Sequence, residues 1–226
     1  MDPMETNETG RETEILRLTA AEARVLGALM EKEATTPEYY PLSLNALLNA
    51  CNQKSSREPV MQLAEDDVRQ ALHTLDRKGL AGAARGGDSR VAKYEHRTAE
   101  KFNFRRDEAA LMCCLLLRGP QTAGELRGRT ERVHQFEDIE AVLAGLQRLA
   151  VREPALAKQL PRQAGVKEAR WAQLLTGEPA EVVAAETAGP EERERPSEIA
   201  ALRAEIAELR ERVERLEEGT VLAAKN

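Results

Sequence analysis

Three thiols, three imidazoles and a scatter of guanidinium groups are the side chains of this sequence best suited to chemistry. Their spacing narrows what each can do. Cys51, Cys113 and Cys114 form an odd set with no Cys-x-x-Cys, and two of them are adjacent. That pattern argues against a disulfide framework and fits small buried hydrophobes in a reducing compartment, so the expected location is the cytoplasm. His73, His96 and His134 stand apart from one another and from any acid or thiol at metal-ligand spacing. Gly86-Gly87 is followed by no Gly-Lys-Ser/Thr, so it reads as a turn and not a phosphate loop. No two acids are singled out by surroundings that would push their pKa values apart. The expectation is a protein without catalytic residues, cofactor or metal.

The basic side chains suggest a different chemistry, contact with phosphates. Arg85, Arg90, Lys93 and Arg97 crowd one stretch, and Arg127, Arg129 and Arg132 another. Lys54 and Arg57 occupy a polar segment, Cys51 to Met61, and Arg69 lies on a helical stretch with His73 and Arg77. Lysine and arginine bind a nucleic-acid backbone by neutralising phosphates and releasing counterions. The competing reading is internal bracing, with Arg57 paired to Glu58 and Lys93 to Glu95, and Asn52 and Gln53 satisfying loop backbone. Net charge is −6 over 226 residues, but the acids concentrate at the ends. Residues 1–14 carry one Arg against five acids and residues 178–226 seven bases against thirteen, leaving 15–177 mildly basic. That balance permits DNA as a partner without requiring it.

The elements that must hold these residues read as helices first. Thr19 and Glu22 form a capping box ahead of Val25, Leu26 and Leu29 at helical spacing. Ser43 caps a second helix through Leu47 and Leu48. A third, about Glu65 to Lys78, turns Val68, Ala71, Leu72 and Leu75 inward and ends at Gly79. Two short strands follow around Gly86-Gly87-Asp88. The same order recurs: a helix at Glu108–Arg118, a capped short helix from Thr122, a helix from Glu137 to Ala150, and strands turning at Gly165. In that second copy Ile139, Val142, Leu143 and Leu146 are the expected inward set. Three helices followed by a hairpin is winged-helix order. The expected fold is therefore mainly α with small β-hairpins (α+β), two tandem winged-helix domains at 15–103 and 104–177. Docking of the third helix in a major groove is opposed at both helix starts by Glu65-Asp66-Asp67 and Glu137-Asp138.

Composition assigns the remainder. Residues 1–14 read as a disordered acidic leader, 178–197 as a flexible linker and 219–226 as a disordered tail. Between them, 198–218 carries Ile199, Leu202, Ile206, Leu209, Val213 and Leu216 at heptad spacing. β-Branched residues at a with Leu at d favour a parallel two-stranded coiled coil, and so a homodimer through this helix. No apolar run approaches membrane-spanning length.

With those segments in view, the sequence resembles the YceH-like family of bacterial proteins of unknown function. The resemblance rests on Leu18 to Val25, Thr36-Pro37 with Tyr40 to Ser43, Ala50 to Lys54 running into Arg57 to Met61, Arg90-Val with Lys93 to Glu95, and Leu115 to Gly119 leading into Gln121-Thr122 and Gly124 to Arg127. It implies a tandem winged-helix fold with a coiled-coil tail and implies little about activity. Two functions follow as expectations: a dimeric DNA-binding regulator, or a protein-interaction scaffold dimer that leaves DNA alone.

Overall fold

Thr19 starts the first helix by accepting from the Glu22 amide at 3.2 Å, while Glu22 accepts from the Thr19 amide at 2.9 Å. The reciprocal cap satisfies two N–H groups that a helix end would leave orphaned. α1 then runs Ala20–Thr35. A 3₁₀ turn at Pro37–Tyr39 and a two-residue strand, β1 (Leu42–Ser43), lead to α2 (Leu44–Cys51), whose first turn Ser43 caps at 3.3 Å. α3 spans Glu65–Arg77 and stops at Gly79, whose φ of +69° glycine adopts without a Cβ penalty. β2 (Ala81–Ala83) pairs antiparallel with β3 (Lys93–His96), and β1 joins the other edge of β3 with Leu42 opposite Tyr94.

After a short α4 (Thr98–Phe102), α5 (Arg106–Arg118), α6 (Ala123–Thr130) and α7 (Ile139–Ala150) repeat the order. β4 (Ala157–Gln159) and β5 (Trp171–Gln173) close it as an antiparallel pair. A lone Gln121–Trp171 bridge stands where Leu42–Tyr94 stands in the first run. The computed structural model describes residues 16–84, 91–162 and 168–178. Within them the protein is mixed α/β, with seven helices and small antiparallel sheets. The leader 1–14, the turn with Arg85 and Arg90, Gly165, the linker beyond Glu178, the heptad helix and the tail lie outside the described residues. β1 and α4 were not anticipated, because two and five residues are too few to show a period.

One apolar core runs through both repeats, from Leu18 to Leu175. α1 and α5 lie at its centre, each buried over eight or more successive positions and so covered on every side. Glycine makes their close approach feasible. A Cβ on Gly27 would sit 2.9 Å from Leu117, and one on Gly145 of α7 would sit 2.7 Å from Leu111. The connection between repeats is also held: Phe102 and Phe104 stack at 5.0 Å, and the Arg152 guanidinium lies 5.1 Å from the Phe104 ring. Arg152 donates to the Phe102 carbonyl at 2.6 Å, and the Leu18 amide donates to the Leu175 carbonyl at 2.6 Å.

The structure corrects the register of the second copy. α7 buries Val142, Gly145, Leu146 and Leu149, while Ile139 and Leu143, expected inside, are 40% and 38% exposed. These four match Val68, Ala71, Leu72 and Leu75 of α3 at one constant offset, with Gly145 standing opposite Ala71. The buried stripe lies one turn from the one the apolar pattern suggests, because glycine carries no apolar signal although Gly145 is the residue in contact with Leu111.

Candidate functional site

Residues 52–64, between α2 and α3, are built around two buried arginines. Arg57 donates from Nε and Nη2 to the Ala50 carbonyl at 3.1 and 2.9 Å, and from Nη1 to the Ser56 carbonyl at 2.9 Å. It also meets both oxygens of Glu31 on α1, at 3.1 and 2.6 Å. Its side chain is 0% exposed, so this candidate phosphate contact is a brace within the core, and its acid is Glu31, not Glu58. A planar fork suits such a bidentate carboxylate contact. Arg24 holds the carbonyls of Cys51 and Pro59 at 3.0 and 2.5 Å. Burial first, then the charge of Arg57, lowers its pKa below the ordinary guanidinium value. Asn52 exchanges two hydrogen bonds with the Leu63 backbone, at 2.8 and 2.9 Å. The Glu58 amide reaches the Leu117 carbonyl of α5 at 2.8 Å, so this loop also joins the repeats. Lys54 remains exposed on it.

Around α3 and β3 the first repeat presents a polar face. An open groove of about 310 Å³ is lined by Arg69, His73, Asp76 and Tyr94. Arg69 pairs with Glu65 at 2.6 Å on the exposed helix surface, and Asp67 accepts the Ala64 amide at 2.8 Å. Two of the three acids at this helix start are thereby occupied. Arg97 spans from Asp76, at 3.0 Å, to the Ala83 carbonyl, at 3.3 Å, and so braces β2 against α3. Lys93 is exposed and pairs with no carboxylate among the described residues. Behind the sheet His96 donates from Nε2 to Glu33 at 2.9 Å, the tautomer required because its Nδ1 faces the Thr98 amide and hydroxyl. That hydrogen bond holds the Glu33 carboxyl below its ordinary pKa, against the opposing effect of partial burial.

The second group of bases sits elsewhere. Arg127 donates to the Glu137 carbonyl at 2.8 Å and ties α6 to the approach of α7. Arg129 reaches Gln121 at 2.9 Å and Glu125 at 3.2 Å. Arg129 and Arg132 line a cavity of about 270 Å³ between the repeats, together with Lys32 of α1 and Arg118 of α5. Neither Lys32 nor Arg118 was singled out in the sequence. They lie far apart in the chain, and only the packing of α1 on α5 brings them to one place.

Buried acids mark the two repeats as equivalent. Glu22 meets Lys78 at 2.6 Å just past α3, and Glu108 meets Arg152 at 2.6 Å just past α7. Glu108 also accepts from Arg148 at 3.2 Å, and Asp107 pairs with the same arginine. The three cysteines are free and buried. Burial pushes the Cys51 thiol up to about 12, and it raises Cys113 and Cys114 as well. No helix among the described residues is long and apolar enough to cross a membrane.

Comparison with known proteins agrees over this region. The family model described as "Protein of unknown function, DUF480" matches residues 18–166. A UPF0502 protein of Solibacter usitatus is 60% identical over 198 residues, covering 86% of this chain and 93% of its own. One from Citrifermentans bemidjiense is 57% identical over 162 residues, covering 72% and 75%. Another, from Paraburkholderia phymatum, is 48% identical over 200 residues, covering 88% and 85%. With a match that takes in all seven helices, the chain belongs to the DUF480 (UPF0502) family of bacterial proteins of unknown function.

Proposed function

We propose that this protein is a non-enzymatic, cytoplasmic DNA-binding regulator made of two tandem winged-helix units, 15–103 and 104–177, that meets DNA through its first unit. The observation carrying the reading is the outward ridge of α3. Glu65, Arg69, His73 and Arg77 repeat every fourth residue, all exposed, and Arg69 and His73 line the groove at Tyr94; Lys93, adjacent to Tyr94 in β3, is also exposed. A ridge of this kind supplies hydrogen-bonding groups to base edges, while Lys93 supplies charge to the backbone. The Arg69–Glu65 pair is exposed on the helix surface and screened by salt, so Arg69 exchanges Glu65 for a phosphate at little cost. Dimerisation through Ile199, Leu202, Ile206, Leu209, Val213 and Leu216 would present two such faces to one duplex.

A protein-interaction role is the second reading, and one observation favours it. The positions of α7 equivalent to that ridge are Ile139, Leu143, Gln147 and Val151, with Val151 67% exposed. A recognition helix with an apolar outer face suits a protein surface better than a phosphate backbone. Two double variants separate the readings. Arg69→Gln with Lys93→Gln is expected to weaken binding to duplex DNA at least tenfold, and Ile139→Ser with Leu143→Ser to leave it unchanged. DNA affinity lost only in the second pair would move the contact to α7 and sink the proposal.

A further inference from the structure

The cavity between the repeats has a composition unlike the rest of the surface. α1 supplies Lys32, α5 Arg118, and α6 with its exit Arg129 and Arg132. Two acids lie within reach. Glu31 is held by both Nη nitrogens of the Arg57 fork and also pairs with Lys32 at 3.8 Å, and Glu125 pairs with Arg129. Arg118 and Arg132 meet no carboxylate among the described residues; Arg118 spends one N–H on Ser56 Oγ, at 2.6 Å. Most other buried or half-buried bases of the fold have an acid: Arg57, Lys78, Arg97, Arg148 and Arg152. With Lys32 and Arg129 paired, the acid-free Arg118 and Arg132 on one recess leave an excess of positive charge that a bound anion would satisfy.

The backbone at the mouth is also unusual. Ser56 takes φ +61°, a left-handed conformation that a residue with a Cβ adopts at a cost. It is held there from two sides, by Arg57 on its carbonyl and Arg118 on its hydroxyl. Ser55 and Ser56 both line the cavity. Among the described residues no aromatic side chain lines the recess, so it lacks the aromatic face that favours a nucleobase. Its volume lies just below the usual range for drug-sized ligands.

We infer that this cleft binds a small, non-aromatic phosphorylated anion of the sugar-phosphate class, with Arg118 and Arg132 on the phosphate and the serine hydroxyls on the ligand's own hydroxyl groups. The site does not depend on whether the protein binds DNA. A recess of this size admits no duplex, and its bases lie on α1, α5 and α6, away from the α3 ridge.

Isothermal titration calorimetry of the full chain with ribose 5-phosphate, inorganic phosphate, ribose and AMP tests it. Ribose 5-phosphate is expected to bind with a Kd below about 1 mM, more tightly than inorganic phosphate or AMP, and ribose not at all. Arg132→Gln is the decisive variant, because that side chain is exposed and has no hydrogen-bond or ion-pair partner among the described residues, so its loss is expected to leave the fold intact. It is expected to weaken binding at least about tenfold, the effect of one lost hydrogen bond to a charged group. Arg118→Gln is expected to do the same. Arg106→Gln, twelve residues and roughly 18 Å away along α5, is expected to change nothing. Binding of ribose 5-phosphate that survives Arg132→Gln, tighter binding of AMP, or absence of binding by any of the phosphorylated probes would overturn the assignment.

Discussion

Arg57 shows how far the surroundings of a side chain decide its role. In the sequence it is one base among several in a polar segment; in the fold it is a fully buried guanidinium with backbone carbonyls on one side and Glu31 on the other. Removing one partner of a buried pair leaves the other uncompensated. Arg57→Ala is therefore expected to destabilise by roughly 3–5 kcal/mol, read as a lower midpoint in urea at unchanged slope. Lys54→Ala, on the same loop but exposed, is expected to stay within about 0.5 kcal/mol of the parent. Cysteine chemistry follows from burial in the same way. A thiol reacts as thiolate, and with Cys51 raised to about 12 and Cys113 and Cys114 also raised, almost none is ionised at pH 8. Native protein is expected to resist iodoacetamide at that pH, while all three thiols react in denaturant. Fast alkylation of the native form would contradict the burial.

At the scale of elements, caps and apolar periods were legible and orientation was less so. Thr19 with Glu22, Ser43, and Thr122 with Glu125 announced their helices and make the expected contacts. The three-helix order and both strand pairs were also readable from pattern alone. Which face of α7 points inward was not, because Ile139, Val142, Leu143, Leu146 and Leu149 support two stripes one turn apart. Gly145 decides between them by letting α7 approach Leu111 of α5. The charged groups followed a similar rule. Arg129 and Arg132 stand close together in sequence and were singled out there, whereas Lys32 of α1 joins them only through the packing of α1 on α5. Leu146→Ala, at 0% exposure, is expected to cost about 2–5 kcal/mol. Ile139→Ser and Leu143→Ser are expected to cost about 1 kcal/mol or less each. The reverse order in thermal or chemical denaturation would restore the first register.

For the whole molecule, the long loop of the first repeat and the α1–α5 packing matter most. The core has no break between repeats, and the connection is pinned by Phe102, Phe104 and Arg152. Limited proteolysis is expected to spare residues 98–107, and urea unfolding of a chain ending at Gly177 to follow one transition. Ready cleavage in that connection, or two separate transitions, would mean that the repeats fold independently. A joined pair holds the α3 ridge and the α7 ridge in a constant relation, which a regulator contacting DNA with one and a protein with the other would need.

The most direct test of the DNA reading is fluorescence anisotropy of labelled random-sequence duplex DNA across a salt series, with the full chain and the chain ending at Gly177. Micromolar binding that weakens steeply with salt is the expected result, since the slope of log K against log salt counts the phosphates neutralised. Weaker binding by the shorter chain is expected if the C-terminal helix pairs two copies. No binding by either chain at low salt would contradict the account and leave the apolar face of α7 as the working surface of the protein.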